Sequence, residues 1–445
     1  MINQKLGLVT LKGARMVQNN KQNKKFNTLN VFTLKCFVFF HLLVGCSHEP
    51  RVAEPTIPKM FDVQRDIALA KKTSKQLLKK TTSGGIVFEC STQESKILNK
   101  EILAYFKELN ISRNLYQIKN TQVRSNQSAK LNLQLKPKFY NLSTIAFKDV
   151  PEFTIQDEDV TIPALKNKTQ TVKTVSKKEI VLAMMQAGRE TVFTQDQCNL
   201  SALKDFVGIR QNIATWGQNL DWYFPEHESE WNPKYWDHGT PLKSQKLGDS
   251  LTDLFLNPRL YSIGCYTAAK MVMIQGLYDY YNRINPNEDK LKKIEEKLWS
   301  DNDPIVNLEP GHAWDFYPKM TPEEKATPGK ILTVQKKIPY NHIIPGDWIY
   351  MFNAPDILTV ERGYEGSNAI YLGRNQFTDY YNLHGHYYTF EELIDKVYQW
   401  RNKVFNRPAD NKNIKPLQKE DLYKLAKTPQ EDGLFIDYRI YPEYL

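Results

Sequence analysis

The chain has 445 residues, 41% of them hydrophobic and 25% charged, a globular composition that excludes collagen-like, coiled-coil and wholly disordered proteins. At about 150 residues a domain, this length predicts two to three domains. The net charge of +10 suggests a nucleic-acid protein, but residues 1–45 hold seven basic and no acidic residues. Residues 181–445 hold 30 basic and 36 acidic residues, which argues against a nucleic-acid groove there.

Residues 1–46 have the pattern of a secretory leader. Lysines precede an apolar run over 36–45, which is about half as long as a membrane-spanning helix needs. The run ends in Leu43-Val44-Gly45-Cys46, which resembles the bacterial lipobox, whose cysteine is lipidated and becomes the first mature residue. We predict a lipid-anchored protein of the bacterial cell envelope, on the inner or outer membrane, with residues 47–60 as a tether. The alternative is a buried apolar helix with a chance cysteine.

The remaining cysteines are Cys90, Cys198 and Cys265, because Cys36 lies in the leader and Cys46 would carry lipid. Their odd number means that at least one thiol has no partner within the chain. A Cys90–Cys198 disulfide is possible in an oxidising compartment.

Residues 61–149 are predicted to form a small α+β region of unknown role. Its expected elements are helices over 62–80 and 94–109, a strand over 86–90, and a β-hairpin around Pro137 within 131–147. Its basic residues indicate a solvated surface or, alternatively, a face near anionic lipid or wall polymer. Residues 150–178 are rich in Thr, Lys and Asp without clear periodicity, so we interpret them as a linker.

Residues 179–445 change to a pattern of helices followed by strands. Helices are predicted over 180–185, 203–216, 249–255, 260–281, 290–299 and 390–404, and strands over 331–334, 347–352, 368–372 and 377–381. This α+β order is expected of papain-like folds, with N-terminal helices, a nucleophile helix and an antiparallel sheet.

Cys265 is the candidate nucleophile. It follows Gly264 in the first turn of the predicted helix 260–281, and small residues follow it. The positive end of a helix dipole lowers the pKa of a thiol, and the thiolate is the reactive form. The alternative is a buried structural cysteine.

His384 is the candidate base. It lies about 120 residues after Cys265, in a segment expected to continue the sheet, with Gly385 after it. A cysteine on a helix and a histidine on a later strand form the pair in which imidazole takes the thiol proton. The alternative for His384 or for His386 is an ordinary surface or core histidine.

Taken in order, these segments resemble the bacterial spore-type protein-glutamine γ-glutamyltransferases, small transglutaminases with an NlpC/P60-like, papain-related core. The matching motifs within about 230–402 are Tyr235-Trp236, Cys265-Tyr-Thr-Ala268, Gly346-Asp-Trp-Ile-Tyr350, Gly366-Ser-Asn-Ala-Ile-Tyr-Leu-Gly373 and His384-Gly385. The resemblance implies that residues 179–445 are a papain-like cysteine acyltransferase or hydrolase domain.

The sequence departs from this family at one position of the motif. The family's second dyad residue is the glutamate of Gly-Glu-Asn, where this chain has Ser367. Glu365 stands two residues earlier and would share a strand face with Ser367, so it is the predicted catalytic carboxylate. Alternatively, Cys265 and His384 act with another carboxylate such as Asp379.

Three functions follow as hypotheses. The first is acyl transfer at protein glutamine, giving an isopeptide bond or deamidation. The second is an NlpC/P60-type amidase or peptidase of cell-wall peptides, and the third is a non-catalytic lipoprotein with a degenerate papain-like binding domain. We expect partners bearing glutamine or amide groups, a membrane contact through lipid, and no nucleic acid.

Other residues give weaker signals. No Cys-x-x-Cys, His-Glu-x-x-His or P-loop motif occurs, so we expect no metal and no cofactor. His227, His238 and His312 have no metal-ligand spacing and are interpreted as loop histidines. The aromatic segment 222–236 is interpreted as core and groove wall rather than a sugar-binding platform.

Overall fold

The described part of the chain contains two large β-sheets, two small two-stranded sheets and the helices packed around them. The computed structural model describes residues 56–77, 84–122, 128–226, 228–300, 331–353, 364–405 and 414–442. The predicted leader with Cys46, most of the tether, and His227 and His312 lie outside these residues.

Most of the helices and strands expected over 179–445 are present, but the sequence does not predict the helix over 419–425 or the strand over 438–442. The helices are α1 Val63–Leu77, α2 Thr92–Glu108, α3 Lys177–Met184, α4 Leu200–Trp216, α5 Leu247–Leu256, α6 Cys265–Asp279, α7 Glu288–Ser300, α8 Phe390–Arg401 and α9 Lys419–Leu425. The strands are β1 Gly85–Ser91, β2 Tyr116–Gln122, β3 Ser128–Leu135, β4 Glu158–Ala164, β5 Lys168–Thr174, β6 Glu190–Thr194, β7 Trp236–Asp237, β8 Thr240–Pro241, β9 Leu332–Lys336, β10 Trp348–Phe352, β11 Gly366–Gly373, β12 Gln376–Thr378, β13 Tyr387–Tyr388 and β14 Tyr438–Pro442.

The first sheet has the strand order β2-β3-β1-β6. Its pairs are antiparallel except β1–β6, which is parallel. Helix α2 starts directly after β1 because Ser91 and Glu94 form a capping box, in which each side chain accepts a hydrogen bond from the other's backbone N–H. Strand β6 comes from beyond residue 179, so this sheet joins both regions that the sequence separates.

A disulfide ties this sheet to the helical layer. Cys90 on β1 is bonded to Cys198, just before α4, and their Cα atoms are 5.7 Å apart. The disulfide that the sequence left as a possibility is therefore present, and Cys265 is the free cysteine among the described residues.

Two expectations between residues 131 and 178 are wrong at the level of secondary structure. The alternating leucines before Pro137 belong to β3, which pairs back with β2 and β1, and Pro137 begins a 3-10 turn rather than a hairpin. Within 150–178, β4 and β5 form a hairpin whose turn residues Lys166 and Asn167 have positive φ. One face of this hairpin is polar and exposed, while Ile162 and Val172 on the other face pack against Trp216. The apolar residues are too few to stand out among the Thr, Lys and Asp around them. The proposed domain boundaries stay predictions.

Helix α6, which begins with Cys265, is enclosed on nearly all sides. It crosses α4 so closely that a Cβ added to Gly276 would lie 2.4 Å from Cγ1 of Ile213. At its C-terminal end the Asp279 carboxylate accepts hydrogen bonds from Asn212 at 3.1 Å and from the Trp216 indole at 2.9 Å. These contacts fix the position of the helix and therefore of its first residue.

The second sheet is antiparallel, with the order β13-β12-β11-β10-β14-β9. One face, which includes Ile370 and Leu372, belongs to the core around α4 and α6. The other face, which includes Ala369 and Tyr371, packs with α8 and α9. The predicted α+β class is confirmed, while the papain-like assignment stays a prediction.

The first described residues dock near the C-terminal end of the chain. The Met60 N–H donates to the Glu391 carboxylate at 3.0 Å, and the Tyr423 hydroxyl donates to the Met60 carbonyl at 2.6 Å. Arg65 in turn donates to the Tyr423 hydroxyl at 3.0 Å. None of the helices described here has both the length and the apolarity needed to cross a bilayer.

Candidate functional site

The Cys265 thiol stands at the N-terminus of the enclosed helix α6. The predicted helix over 260–281 begins later than expected, so Cys265 is its first residue, with Gly264 as N-cap. Gly264 has no side chain to cap the first turn, so backbone N–H groups remain directed at the thiol end of the helix. The thiol is partly exposed, whereas most of the helix after it is buried. This position suits a nucleophile that must meet substrate.

A hydrogen-bonded chain from the sheet reaches the thiol. The Asn368 side-chain amide on β11 donates to the sulfur of Cys265 at 3.5 Å. The Asn368 side-chain oxygen accepts from the indole N–H of Trp348 on β10, at 2.9 Å. The ring of Tyr266 packs edge-on against Trp348 with centroids 5.3 Å apart. Sequence reasoning missed Asn368 and Trp348, although strand alternation within the Gly366–Gly373 motif would place residue 368 opposite residue 367.

Ser367, which stands at the family's glutamate position, lies on the face of β11 that is turned away from the Cys265 thiol. Asn368 shares its face with Ile370, on the α6 side of the sheet, so Ser367 lies on the opposite face with Ala369. Ser367 is buried, whereas Glu365 precedes the strand in a bend and is exposed. The Glu365 carbonyl accepts from the Tyr350 hydroxyl at 3.3 Å. The catalytic role of Glu365 stays a prediction.

The segment after β12 passes beside the start of α6. The expected strand 377–381 ends at Thr378, so His384 lies in a loop rather than on a third strand. The Tyr381 hydroxyl donates to the carbonyl of Ile263 at 3.0 Å, two residues before Cys265. Burial is the main cause that raises the pKa of Tyr381, and the negative charge of a Cys265 thiolate is the next. Burial also raises the pKa of Tyr380, with a smaller effect of the same charge. Both tyrosines therefore border the thiol as neutral side chains.

Asp379 and Glu392 hold His384 from two sides. The buried Asp379 carboxylate accepts from the backbone N–H of His384 at 2.5 Å and from that of Tyr381 at 3.3 Å, so it shapes the loop. The imidazole pairs through Nε2 with the Glu392 carboxylate at 3.2 Å and stacks on Tyr388. Burial alone would raise the pKa of Glu392, but hydrogen bonds from His384 and Thr389 lower it to about 2. Sequence reasoning missed Glu392, because its partner lies across a loop of positive-φ residues.

Exposed apolar side chains surround this part of the surface. Tyr223 is 48% exposed, and its backbone hydrogen-bonds to Tyr261 and Ile263 on the segment that leads into Cys265. Phe224 is 40% exposed and packs edge-on against Tyr381. Deeper in the aromatic segment 222–236, Trp222 and Trp236 are buried, so the segment supplies both core and exposed wall.

The Gly346-Asp347 motif has a structural position behind the site. The Asp347 carboxylate is fully buried and pairs with the guanidinium groups of Arg189 and Arg210. It also accepts from the backbone N–H of Ile344 at 2.9 Å, which closes the turn into β10. The ion pairs thus fix the strand that carries Trp348.

A partly exposed cysteine at a helix N-terminus, with an amide donor 3.5 Å from its sulfur, has the position that a thiol nucleophile needs for acyl transfer. The family model of protein-glutamine gamma-glutamyltransferase matches residues 152–415, more than half of the chain. The chain belongs to this family. Membership implies a cysteine-dependent acyltransferase that acts on protein glutamine.

Comparisons outside the family model add little. A solved structure of a transglutaminase from Geobacillus stearothermophilus, without its C-terminal extension, is 16% identical and covers 55% of this chain and 95% of that chain. The TM-score of 0.35 is too low to establish a shared fold. Among curated proteins, none matches the chain.

Proposed function

We propose that this protein transfers the acyl group of a protein glutamine with Cys265 as the nucleophile, in the bacterial cell envelope, and that lipid on Cys46 anchors it. The observation that carries the catalytic part is the partly exposed Cys265 thiol at the first position of α6. Family membership supplies the substrate group, and the Leu43–Cys46 sequence supports the anchor.

The reaction proceeds through a thioester. The Cys265 thiolate attacks the carboxamide carbon of glutamine, an S–C bond forms, the C–N bond breaks, and the nitrogen leaves as ammonia with an added proton. A lysine amine then attacks the thioester carbon, releases the thiolate and loses a proton, which gives an isopeptide bond. Water in place of the amine gives glutamate, and therefore deamidation.

His384 is the proposed proton carrier, because its imidazole is 43% exposed and lies on the loop that borders Cys265 through Tyr381. The carboxylate that acts with it is either Glu392, which pairs with its ring, or Glu365, as the sequence predicts. Replacing the working carboxylate by glutamine should lower turnover about 10²- to 10⁴-fold. Full activity of Glu365→Gln beside a slow Glu392→Gln would assign the role to Glu392, and the reverse result would assign it to Glu365.

The finer family assignment is to the spore-type transglutaminases with an NlpC/P60-like core. Its support is the order of the motifs around Cys265, Gly346-Asp347 and His384 along the chain. The antiparallel sheet that follows the nucleophile helix is compatible with such a core.

The envelope location has a second support besides the leader. The Cys90–Cys198 disulfide is of the kind that persists in oxidising compartments and is rare in the cytosol. The two observations come from different parts of the chain, and each supports the proposed extracytoplasmic location.

The catalytic proposal is tested by amine incorporation. The purified protein is incubated with a glutamine-rich protein as acyl donor and a fluorescent primary amine as acyl acceptor, and labelling of the glutamine-rich protein is measured beside released ammonia. We expect labelling by the wild type and none by Cys265→Ser. Ammonia without labelling would indicate a hydrolase of the cell-wall amidase type, and neither product would favour a non-catalytic binding domain.

The anchor is tested by detergent partitioning of the protein expressed with its complete leader. Cys46→Ser should move the protein from the detergent phase to the aqueous phase. Cys36→Ser, which changes a cysteine inside the apolar run, is the matched control and should partition as the wild type does. Unchanged partitioning of Cys46→Ser would refute the lipid anchor.

A further inference from the structure

We propose that Asn368 is a catalytic residue that stabilises the Cys265 thiolate, and that Trp348 is a positioning residue that fixes the direction of the Asn368 amide. This inference rests on the proposed role of Cys265 as the nucleophile. It adds to the site a hydrogen-bond donor, Asn368, and a residue that positions this donor, Trp348. The sequence motifs gave neither residue a role.

The direction of the amide follows from what each neighbour can donate. The Trp348 indole has a donor and no acceptor, so it must face the side-chain oxygen of Asn368, as it does at 2.9 Å. The side-chain NH₂ of Asn368 is then left facing the sulfur of Cys265, at 3.5 Å. The nitrogen and oxygen of an asparagine are otherwise easily exchanged in a structure, but here the indole determines the choice.

The burial of these groups keeps the arrangement in place. Trp348 is 1% exposed, and Asn368 is 9% exposed in the middle of β11. The next residue on the same face is the fully buried Ile370, so this face of the strand is otherwise apolar. A buried amide without partners costs free energy, and here both ends of the amide have one. Tyr266, the residue after the nucleophile, packs against Trp348 and holds the indole from the helix side.

The donor distinguishes the protonation states of the sulfur. The NH₂ group only donates, so it gains nothing from the S–H proton of a thiol, while a thiolate accepts a charge-assisted hydrogen bond from it. The interaction therefore favours the thiolate before it attacks glutamine. It also favours the same thiolate when it leaves the thioester, after the amine has attacked. Both steps of the transfer would use the one donor.

The test measures the reaction of Cys265 with iodoacetamide as a function of pH, followed by mass spectrometry of the Cys265 peptide. Compared with the wild type, Asn368→Ala should move the pH midpoint of Cys265 alkylation upward by about one unit. At a constant pH below the midpoint, the alkylation rate should then be about tenfold lower. Asn368→Asp should move it further, because a second negative charge would face the thiolate. Trp348→Phe should move it in the same direction, because the amide could then rotate. Asn114→Ala, on an exposed loop, is the control and should leave the profile unchanged.

A purely structural role would give a different pattern. If Asn368 only packed the sheet, Asn368→Ala would lower the melting temperature and leave the alkylation midpoint of the folded fraction unchanged, which would overturn the inference. Trp348→Phe keeps a large buried ring, so an unchanged midpoint in that variant would overturn the positioning role even where an Asn368 variant fails to fold. If the wild type incorporates no amine while the midpoint still depends on Asn368, the proposed function fails and the thiolate contact stands.

Discussion

Asp347 is the residue whose replacement should show most directly how the sheet behind the site is held. Its carboxylate is fully buried and accepts hydrogen bonds from Arg189, from Arg210 at 2.8 Å and from the Ile344 N–H at 2.9 Å. Burial alone would raise the pKa of Asp347, but the two guanidinium groups lower it, so it is ionised. Asp347→Asn keeps the shape of the side chain, removes its charge and directs an NH₂ group at groups that can only donate.

The expected loss of stability in Asp347→Asn comes from the two guanidinium groups, which would remain buried without their carboxylate partner. Removing one partner of a buried ion pair costs about 3–5 kcal/mol, because the other charge is left without compensation. For a chain of 445 residues, about 2.1 cal/mol/K of unfolding entropy per residue converts this cost into a fall of roughly 3–5 °C in melting temperature.

Urea unfolding and thermal melting of Asp347→Asn measure this loss. The control is Asp159→Asn, which removes an exposed ion pair with Lys173 and should change stability by about 0–1 kcal/mol. Because the folded-state pKa of Asp347 lies below its ordinary value, its contribution is present above about pH 4 and is lost as the pH falls further. The difference in the free energy of unfolding between the wild type and Asp347→Asn should therefore become smaller in acid. A loss below about 1 kcal/mol at pH 7 would refute this account of the motif.

Three further changes should have measurable effects on stability. Replacing Cys90 and Cys198 by serine opens a loop with a sequence separation of 108, so urea unfolding should show a loss of about 4–5 kcal/mol, and no loss would exclude the disulfide. Burial and nearby arginines lower the pKa of His342 to about 4, so the stability of the wild type falls as the pH drops from about 6.5 to 4. Between pH 7 and pH 5, the melting temperature of His342→Gln should therefore fall less than that of the wild type. Gly276→Ala should cost about 1–3 kcal/mol in urea unfolding despite the better helix propensity of alanine, because its Cβ would meet backbone of Ile213 at 2.6 Å; a stabilised variant would contradict that close contact.

Much of the second half of the fold was predictable because its signals are local. The apolar periodicity that predicts a helix over 203–216 and strands over 347–352 and 368–372 arises from elements buried on one face or on all sides, and the structure confirms these elements. The hairpin of β4 and β5 was not predictable in this way, because one face is polar and exposed and the other buries only a few apolar residues, such as Ile162 and Val172.

The candidate site was predictable only in part, for a different reason. The place of Cys265 on a helix follows from local sequence, and the structure puts it at the first position. The contacts of Asn368 with Cys265 and of Glu392 with His384 depend on how a helix meets a sheet and on how a loop turns. No spacing along the chain encodes either contact, so both needed the three-dimensional arrangement.

The docking of Met60 on Glu391 and Tyr423 has a consequence for how the chain folds. These two contacts join residues 331 and 363 positions apart in sequence. Contacts of such separation require closure of a very long loop, and a high proportion of them slows folding. During synthesis or export, the segment around Met60 cannot bind Glu391 and Tyr423 until almost all of the chain has emerged. Completion of α9 is therefore the earliest point at which the N-terminal segment reaches its final place.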